Sequence, residues 1–282
     1  MEFRLLEYFL AVAREQSITA AAESLHISQP ALSTQLKALE TELGKQLFIR
    51  GVKGSRKIVL TEEGMILRRR AEEIISLMRR TEEEITGSDE TIAGNVFIGA
   101  GETETVRLFA QAAQKIQKKY PDIQYHISSG NAEHVLDYLD KGLIDFGLLF
   151  TKVDPQKYES LPMPVKDTWG VLMRKDSPLA KKESICPEDL WDKPLIISHQ
   201  KGDDIFLDHW LRRKRSELHI VATYNLLFNA SLLVDEGLGY ALGLDNIINT
   251  QSGSLCFRPL SPRLEVNSFI KKKKYQVFSK AA

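Results

Sequence analysis

The 282-residue sequence predicts a chain of mixed class: an α+β winged helix-turn-helix with a long linker helix, then a two-lobed α/β domain. Three patterns predict it. Residues 17–43 read as a short helix, a turn and a second helix; apolar residues from 67 to 85 recur at spacings of 4, 3, 4, 3 and 4; and from residue 95 strand-like and helix-like segments alternate. These patterns set boundaries of 1–60 for the winged unit, 61–87 for the linker helix and 88–282 for the α/β domain. The last stretch is long enough for two lobes with separate cores.

In the helix pair, Ala20, Ala21 and Ala22 keep the first helix slim, Leu25 closes its inner end and His26-Ile27 make the turn. Ser28 is placed as an N-cap, and Pro30 suits the opening turn of the next helix, where its missing N–H costs little. Leu32, Leu36, Leu39 and Leu43 then face inward at helical spacing, which puts Pro30, Ser33, Thr34 and Lys37 on the outer side. Small hydrogen-bonding groups with one cation suit base edges and phosphates in a major groove. The same residues taken alone also fit an ordinary amphipathic helix hairpin.

The following residues favour the first reading. Gly44 is a C-cap, and Leu47-Phe48-Ile49 and Lys57-Ile58-Val59-Leu60 form two short strands around Gly51 and Gly54, a small wing. Arg50, Lys53, Arg56 and Lys57 crowd it without an acidic residue. Residues 26–60 hold six Lys/Arg against two Asp/Glu, a local charge of +4 in a chain whose formal net charge is +0. A basic segment in a neutral chain confines the phosphate-attracting field to one module, although a solvated hairpin carries such charges too.

Residues 3–64 resemble the winged helix-turn-helix of LysR-type transcriptional regulators, a dense and nearly gapless match to FLAVAREQSITAAAESLHISQPALSTQLKALETELGKQLFIR and the later VLTEEG. The resemblance implies double-stranded DNA as partner. It assigns Ser28, Gln29, Pro30, Ser33, Thr34 and Lys37 to the major groove, and Arg50, Lys53 and Arg56 to the backbone or the neighbouring minor groove. One position departs: many members carry Arg or Lys directly after the recognition-helix Ser, where this chain has Thr34, so familiar operator preferences do not transfer.

Thr61 can cap the next helix, with Glu62 and Glu63 at its positive end. Leu67, Ala71, Ile74, Met78, Thr81 and Ile85 make a heptad seam with one polar member, flanked by runs of alternating charge. So narrow a seam pairs with a second copy or packs on its own winged unit. In the resembled family this helix makes the dimer, effector domains pair as well to give a homodimer or homotetramer, and the bent DNA governs access of RNA polymerase.

Beyond a hinge near 87–94, strands are expected at 95–99, 123–127 and 144–150, with helices at 104–119 and 131–141 between them. Val106, Phe109, Ala113 and Ile116 should face inward from the first of these helices. A second set follows: strands at 169–173, 195–198, 218–223 and 239–244, with helices at 203–214 and 231–236. Such alternation implies mostly parallel sheets with right-handed crossovers. The segments GNAEHVLDYLDKGLIDFGLLF, VLMRKDSPLA and LLVDEGLGYALG resemble the effector-binding domain of the same regulators, which is periplasmic-binding-protein-like in fold. Two departures lie at the end. Members usually continue with a helix after the Tyr275 region, and Lys271–Lys274 replace a stretch that is usually an apolar strand. The lysine run is expected to be a solvated edge or a poorly made last strand.

In such a fold a small-molecule effector sits between the lobes, where strand C-termini and helix N-termini present free N–H groups. That points to Gly101, Glu102, Thr103 and Glu104, to Ser128, Ser129 and Gly130, and to Ser198. Thr103 and Ser198 also fit plain helix caps or turns. Carboxylates such as Glu102 and Glu104 at the cleft mouth repel small anions, so a neutral or amine-bearing effector is expected, although they also complement a helix dipole with no ligand present.

Two cysteines, Cys186 and Cys256, and six histidines form no CxxC or HExxH motif. GxSxG and GxxxxGK are absent as well, so no enzyme, cofactor or metal is expected. A nucleophilic Cys186–His199 pair is the one enzymatic arrangement the sequence leaves open. Few cysteines, no signal peptide and no membrane-length apolar run predict a soluble cytoplasmic protein without a membrane partner. Two classes thus remain: a ligand-responsive, sequence-specific DNA-binding regulator, and a solute-binding or interaction module without sequence-specific DNA binding. The basic wing beside the Ser/Thr/Lys helix face separates them, because a plain solute binder has no use for it.

Overall fold

The computed structural model describes residues 1–49, 57–86, 92–199 and 203–282. The chain divides into two compact units, Met1–Gly87 and Ser88–Ala282. The expected turn at Gly51 and Gly54 and residues 87–91 of the expected hinge lie outside the described residues.

The first unit is built from α1 (Phe3–Glu15), α2 (Ile18–Ser24), α3 (Gln29–Leu43), the two-residue strands β1 (Phe48–Ile49) and β2 (Val59–Leu60), and α4 (Glu62–Thr86). Ser17 and Ser28 cap α2 and α3 by accepting the amides of Ala20 and Ala31 at 3.3 and 3.4 Å. His26 turns the chain with φ +56°, and Gly44 ends α3 with φ +65°, both in the left-handed region. Leu6, Phe9 and Val12 from α1, Ala21 and Ala22 from α2, and Leu32, Leu36 and Leu39 from α3 close around Leu47 and Phe48. The alanines let α2 sit close. Leu43, expected inward, is 41% exposed, because α3 stops at the next residue and runs past the core at that turn.

Thr61 joins wing to helix: its hydroxyl donates to the Gln46 carbonyl at 2.7 Å and accepts the Gly64 amide at 3.0 Å. A side chain at Gly64 would place Cβ 2.2 Å from the Leu47 carbonyl oxygen, so only glycine fits beneath the wing. Along α4, Ala71 and Ile75 are buried in this unit's core, with Leu67 and Ile74 packed against it. Met78 is half-buried. Met65, Ile66 and Ile85 are 57%, 59% and 77% exposed.

The second unit opens with β3 (Gly94–Ala100), α5 (Val106–Lys119), β4 (Ile123–Ser129), α6 (Ala132–Asp140) and β5 (Phe146–Leu149). Strand β6 (Tyr158–Arg174) follows, then β7 (Leu195–Ser198), α7 (Asp203–Leu211), β8 (Ile220–Tyr224), α8 (Leu227–Asp235), β9 (Tyr240–Leu244), β10 (Leu255–Pro259) and β11 (Glu265–Lys273). Strand β3 runs parallel to β4 and β5, and β7 runs parallel to β8 and β9. These are the two parallel halves that the alternation predicts.

What joins the halves was not visible in the pattern. Strand β6 pairs with β11 through Tyr158–Thr168 and with β9 through Trp169–Leu172, so one long strand belongs to both lobes. Only its last third reads as strand, because Pro162 and Pro164 argue against a ladder there. The lysine run is the clearest correction. Strand β11 is neither an edge nor poorly made: it lies between β5 and β6, and Lys271 is 1% exposed. The lysine stems lie along the sheet and their tips find oxygens, Lys271 on the Thr151 carbonyl at 2.6 Å and Lys273 on the Asp140 carbonyl at 2.7 Å. Helix α5 departs in one respect. Phe109 meets Tyr125 edge-on at 5.7 Å, but Ile116 is 44% exposed, since β4 is the outermost strand and leaves one face of α5 uncovered.

Candidate functional site

Two places in the chain have the geometry of a site, one in each unit. In the first, α3 buries Leu32, Leu36 and Leu39 and leaves Gln29, Pro30, Thr34 and Lys37 exposed, with Ser28 exposed at the N-cap and Ser33 half-buried. The Thr34 hydroxyl donates to the Pro30 carbonyl at 2.9 Å, so it meets a ligand as an acceptor. Lys45, by contrast with Lys37, is paired with Glu63 at 3.2 Å. Arg50, Lys53 and Arg56 lie outside the described residues. Sequence reasoning missed Glu40, whose carboxylate accepts the amides of Leu47 and Phe48 at 2.8 and 3.2 Å. That bond fixes where the wing leaves α3. Its only signal was an acidic residue one turn before a helix end in a stretch of net positive charge.

The second place is a cavity of about 110 Å³ in the C-terminal unit, at the carboxyl ends of the parallel strands. Gly101 follows β3, Gly130 follows β4, Phe150 follows β5, and Ser198 and Tyr224 end β7 and β8. Of the residues expected at an effector site, Gly101, Glu102, Gly130 and Ser198 line it. Ser128 and Ser129 are exposed on β4, the outermost strand. Thr103 and Glu104 turn to a different task. Their partner is Asp167 of β6, which is 4% exposed; the Thr103 hydroxyl bonds it at 2.7 Å, the Thr105 hydroxyl at 3.0 Å and the Glu104 amide at 3.2 Å. Ser268 of β11 donates to Thr105 at 2.8 Å, which extends the chain of hydroxyls. Burial pushes the Asp167 carboxyl above its ordinary value, against the pull of the Thr103 and Thr105 hydrogen bonds. The start of α5 is thus pinned to the strand shared by both lobes. Sequence reasoning also missed Trp169, Tyr224 and Asn225 on the cavity wall: Trp169 lies within β6 where that strand passes from β11 to β9, and Tyr224 and Asn225 stand at the end of β8, places that only the fold brings together.

An exposed recognition-type helix beside a wing, and a cavity at the strand ends of a two-lobed α/β unit, define a DNA-binding regulator with a small-molecule sensor. Residues 3–65 match the model of the bacterial regulatory helix-turn-helix protein, lysR family, and residues 89–270 match that of the LysR substrate binding domain. The chain belongs to the LysR family of transcriptional regulators. It is 28% identical over 243 residues to the HTH-type transcriptional regulator YvbU of Bacillus subtilis, covering 86% of this chain and 81% of that one. It is also 28% identical to the DNA-binding transcriptional dual regulator OxyR of Escherichia coli, over 70% of this chain and 63% of OxyR. Among solved structures, full-length CbnR complexed with its target DNA superposes with a TM-score of 0.75 at 20% identity, covering 98% of this chain and 94% of CbnR. The protein is accordingly a DNA-binding transcriptional regulator with an effector-binding domain, and the reading without DNA binding is set aside.

Proposed function

We propose that residues 1–60 carry the DNA face, residues 61–87 pair two copies, and residues 88–282 sense a small molecule that resets how the pair sits on its operator. The outer face of α3 carries the reading: Gln29, Pro30, Thr34 and Lys37 stand exposed above a fully buried leucine row. In this scheme Ser28, Gln29, Pro30, Ser33, Thr34 and Lys37 meet the major groove, and Arg50, Lys53 and Arg56 meet the sugar-phosphate backbone or the neighbouring minor groove. The exposed Met65, Ile66 and Ile85 on α4 favour a homodimer or homotetramer, since a single copy leaves them in water. A two-fold pair then engages two half-sites, and the resulting bend sets access of RNA polymerase.

The protein works by binding, with no catalytic step. No described helix is long and apolar enough to cross a membrane, and the place of action is the cytoplasm, where the DNA is. Electrophoretic retardation of DNA from around the coding region tests the scheme. Affinity is expected to fall steeply with salt, and Lys37→Ala to cost about tenfold at every sequence if it meets phosphate, or unevenly if it reads a base. Retardation insensitive to both salt and Lys37→Ala would remove α3 from the DNA face.

A further inference from the structure

We propose that the cavity selects a ligand about the size of one ring, with an apolar body and an amine or hydroxyl donor, and rejects carboxylates because Glu102 already stands where a ligand carboxylate would sit. The proposal rests on the reading of residues 88–282 as the sensor. Helix α8 begins at Leu227, and its N-cap is Leu226, whose side chain cannot satisfy the free amides of the first turn. The Glu102 carboxylate, from the loop after β3, accepts the Leu227 amide across 125 residues of sequence. A helix N-terminus facing a cleft is where an anion would bind. Here the chain supplies its own, and in doing so ties the first lobe to the second.

Three further observations narrow the ligand. No Lys, Arg or His is among the described residues lining the cavity, and the ammonium of Lys271 is already taken up by the carbonyl of Thr151, a lining residue, so a second carboxylate would meet the Glu102 charge. The walls are apolar over Leu148, Phe150, Leu244 and Ile247, and the volume of about 110 Å³ is close to that of apolar cavities that take a benzene ring. Trp169 forms part of the wall and is 4% exposed, yet its indole N–H has no hydrogen-bond partner among the described residues. An acceptor on the ligand supplies the missing partner, while a ligand donor bonds the Glu102 carboxylate.

The test uses full-length protein and three probes of equal ring size: benzylamine, benzyl alcohol and benzoate, with affinities from calorimetry. Benzylamine or benzyl alcohol is expected to bind at least tenfold more tightly than benzoate. Glu102→Gln keeps an acceptor for Leu227 and removes the charge, so it should erase most of that preference. Trp169→Phe removes the orphaned N–H, so it should weaken benzyl alcohol, whose oxygen can accept, about tenfold more than benzylamine, whose ammonium cannot. Benzoate binding as tightly as the other two, with a ratio unmoved by Glu102→Gln, would overturn the ligand class, and so would failure of all three to bind. DNA retardation in the same preparation separates the two levels. Retardation altered by benzoate alone leaves the sensor standing and sinks only the ligand class, whereas a protein that ignores DNA sinks the regulator reading itself.

Discussion

Lys271 is 1% exposed, donates to one carbonyl oxygen and lies 4.7 Å from the Phe269 ring centroid. Burial lowers its pKa from 10.5 to about 8. Because the folded value lies below that of the unfolded chain, the unfolded chain holds the proton more tightly between about pH 8 and 10.5. The burial cost is fully present below pH 8 and disappears as pH rises through that window, so this residue makes stability rise with pH by roughly 3 kcal/mol. Lys271→Met keeps the stem and removes the charge. It should stabilise the C-terminal unit by about 2 kcal/mol at pH 7 and by much less at pH 10, after loss of one hydrogen bond. Denaturant unfolding followed by tryptophan fluorescence measures this unit alone, because Trp169, Trp191 and Trp210 all lie in it. A Met variant less stable than the native chain at pH 7 would mean that the ammonium is held by more than Thr151. Nothing local in Ile-Lys-Lys-Lys-Lys announces a buried amine; it follows from the places of β5 and β6 on either side.

At the scale of elements, the helix-turn-helix was legible to within a residue or two because its information is local. Ser17 and Ser28 cap their own helices, Gly44 ends its own, and the leucine row has the period of the helix that buries it. Helix α4 was legible as a helix but less so as a surface. Its heptad row names Leu67, Ala71 and Ile74, and these turn toward the unit's own core together with Ile75. Periodicity reports that a face is apolar without saying which partner covers it. The bond from Glu40 to the wing is an element-scale device that no period reveals. Glu40→Ala leaves the Leu47 and Phe48 amides without that acceptor, and should cost the N-terminal unit about 1–3 kcal/mol. Circular dichroism should show the helices intact at 20 °C while DNA affinity drops; an unchanged melting curve and affinity would strip the carboxylate of that role.

At the scale of the whole molecule, two compact units each have their own core, and the self-association proposed for α4 is a property that neither a single residue nor a single element decides. Ile66 is 59% exposed and Ala71 is fully buried on the same helix. Ile66→Asp should therefore leave the melting of one copy within about 0.5 kcal/mol while lowering the sedimentation coefficient and the DNA affinity at fixed concentration. Ala71→Asp should unfold the N-terminal unit outright. If Ile66→Asp sediments like the native chain, α4 pairs through another face or not at all. The order of side chains alone determined the family, the helix caps, the basic wing and the alternation of strand and helix, since each is written within one or two turns of chain. Only the tertiary structure decided that β6, despite Pro162 and Pro164 in its first part, runs through both lobes and that a lysine strand fills the middle of a sheet. It alone decided that Glu102 caps a helix 125 residues away. The reason is physical: a ladder partner or a cap recruited across the fold leaves no periodic trace in the segment that receives it.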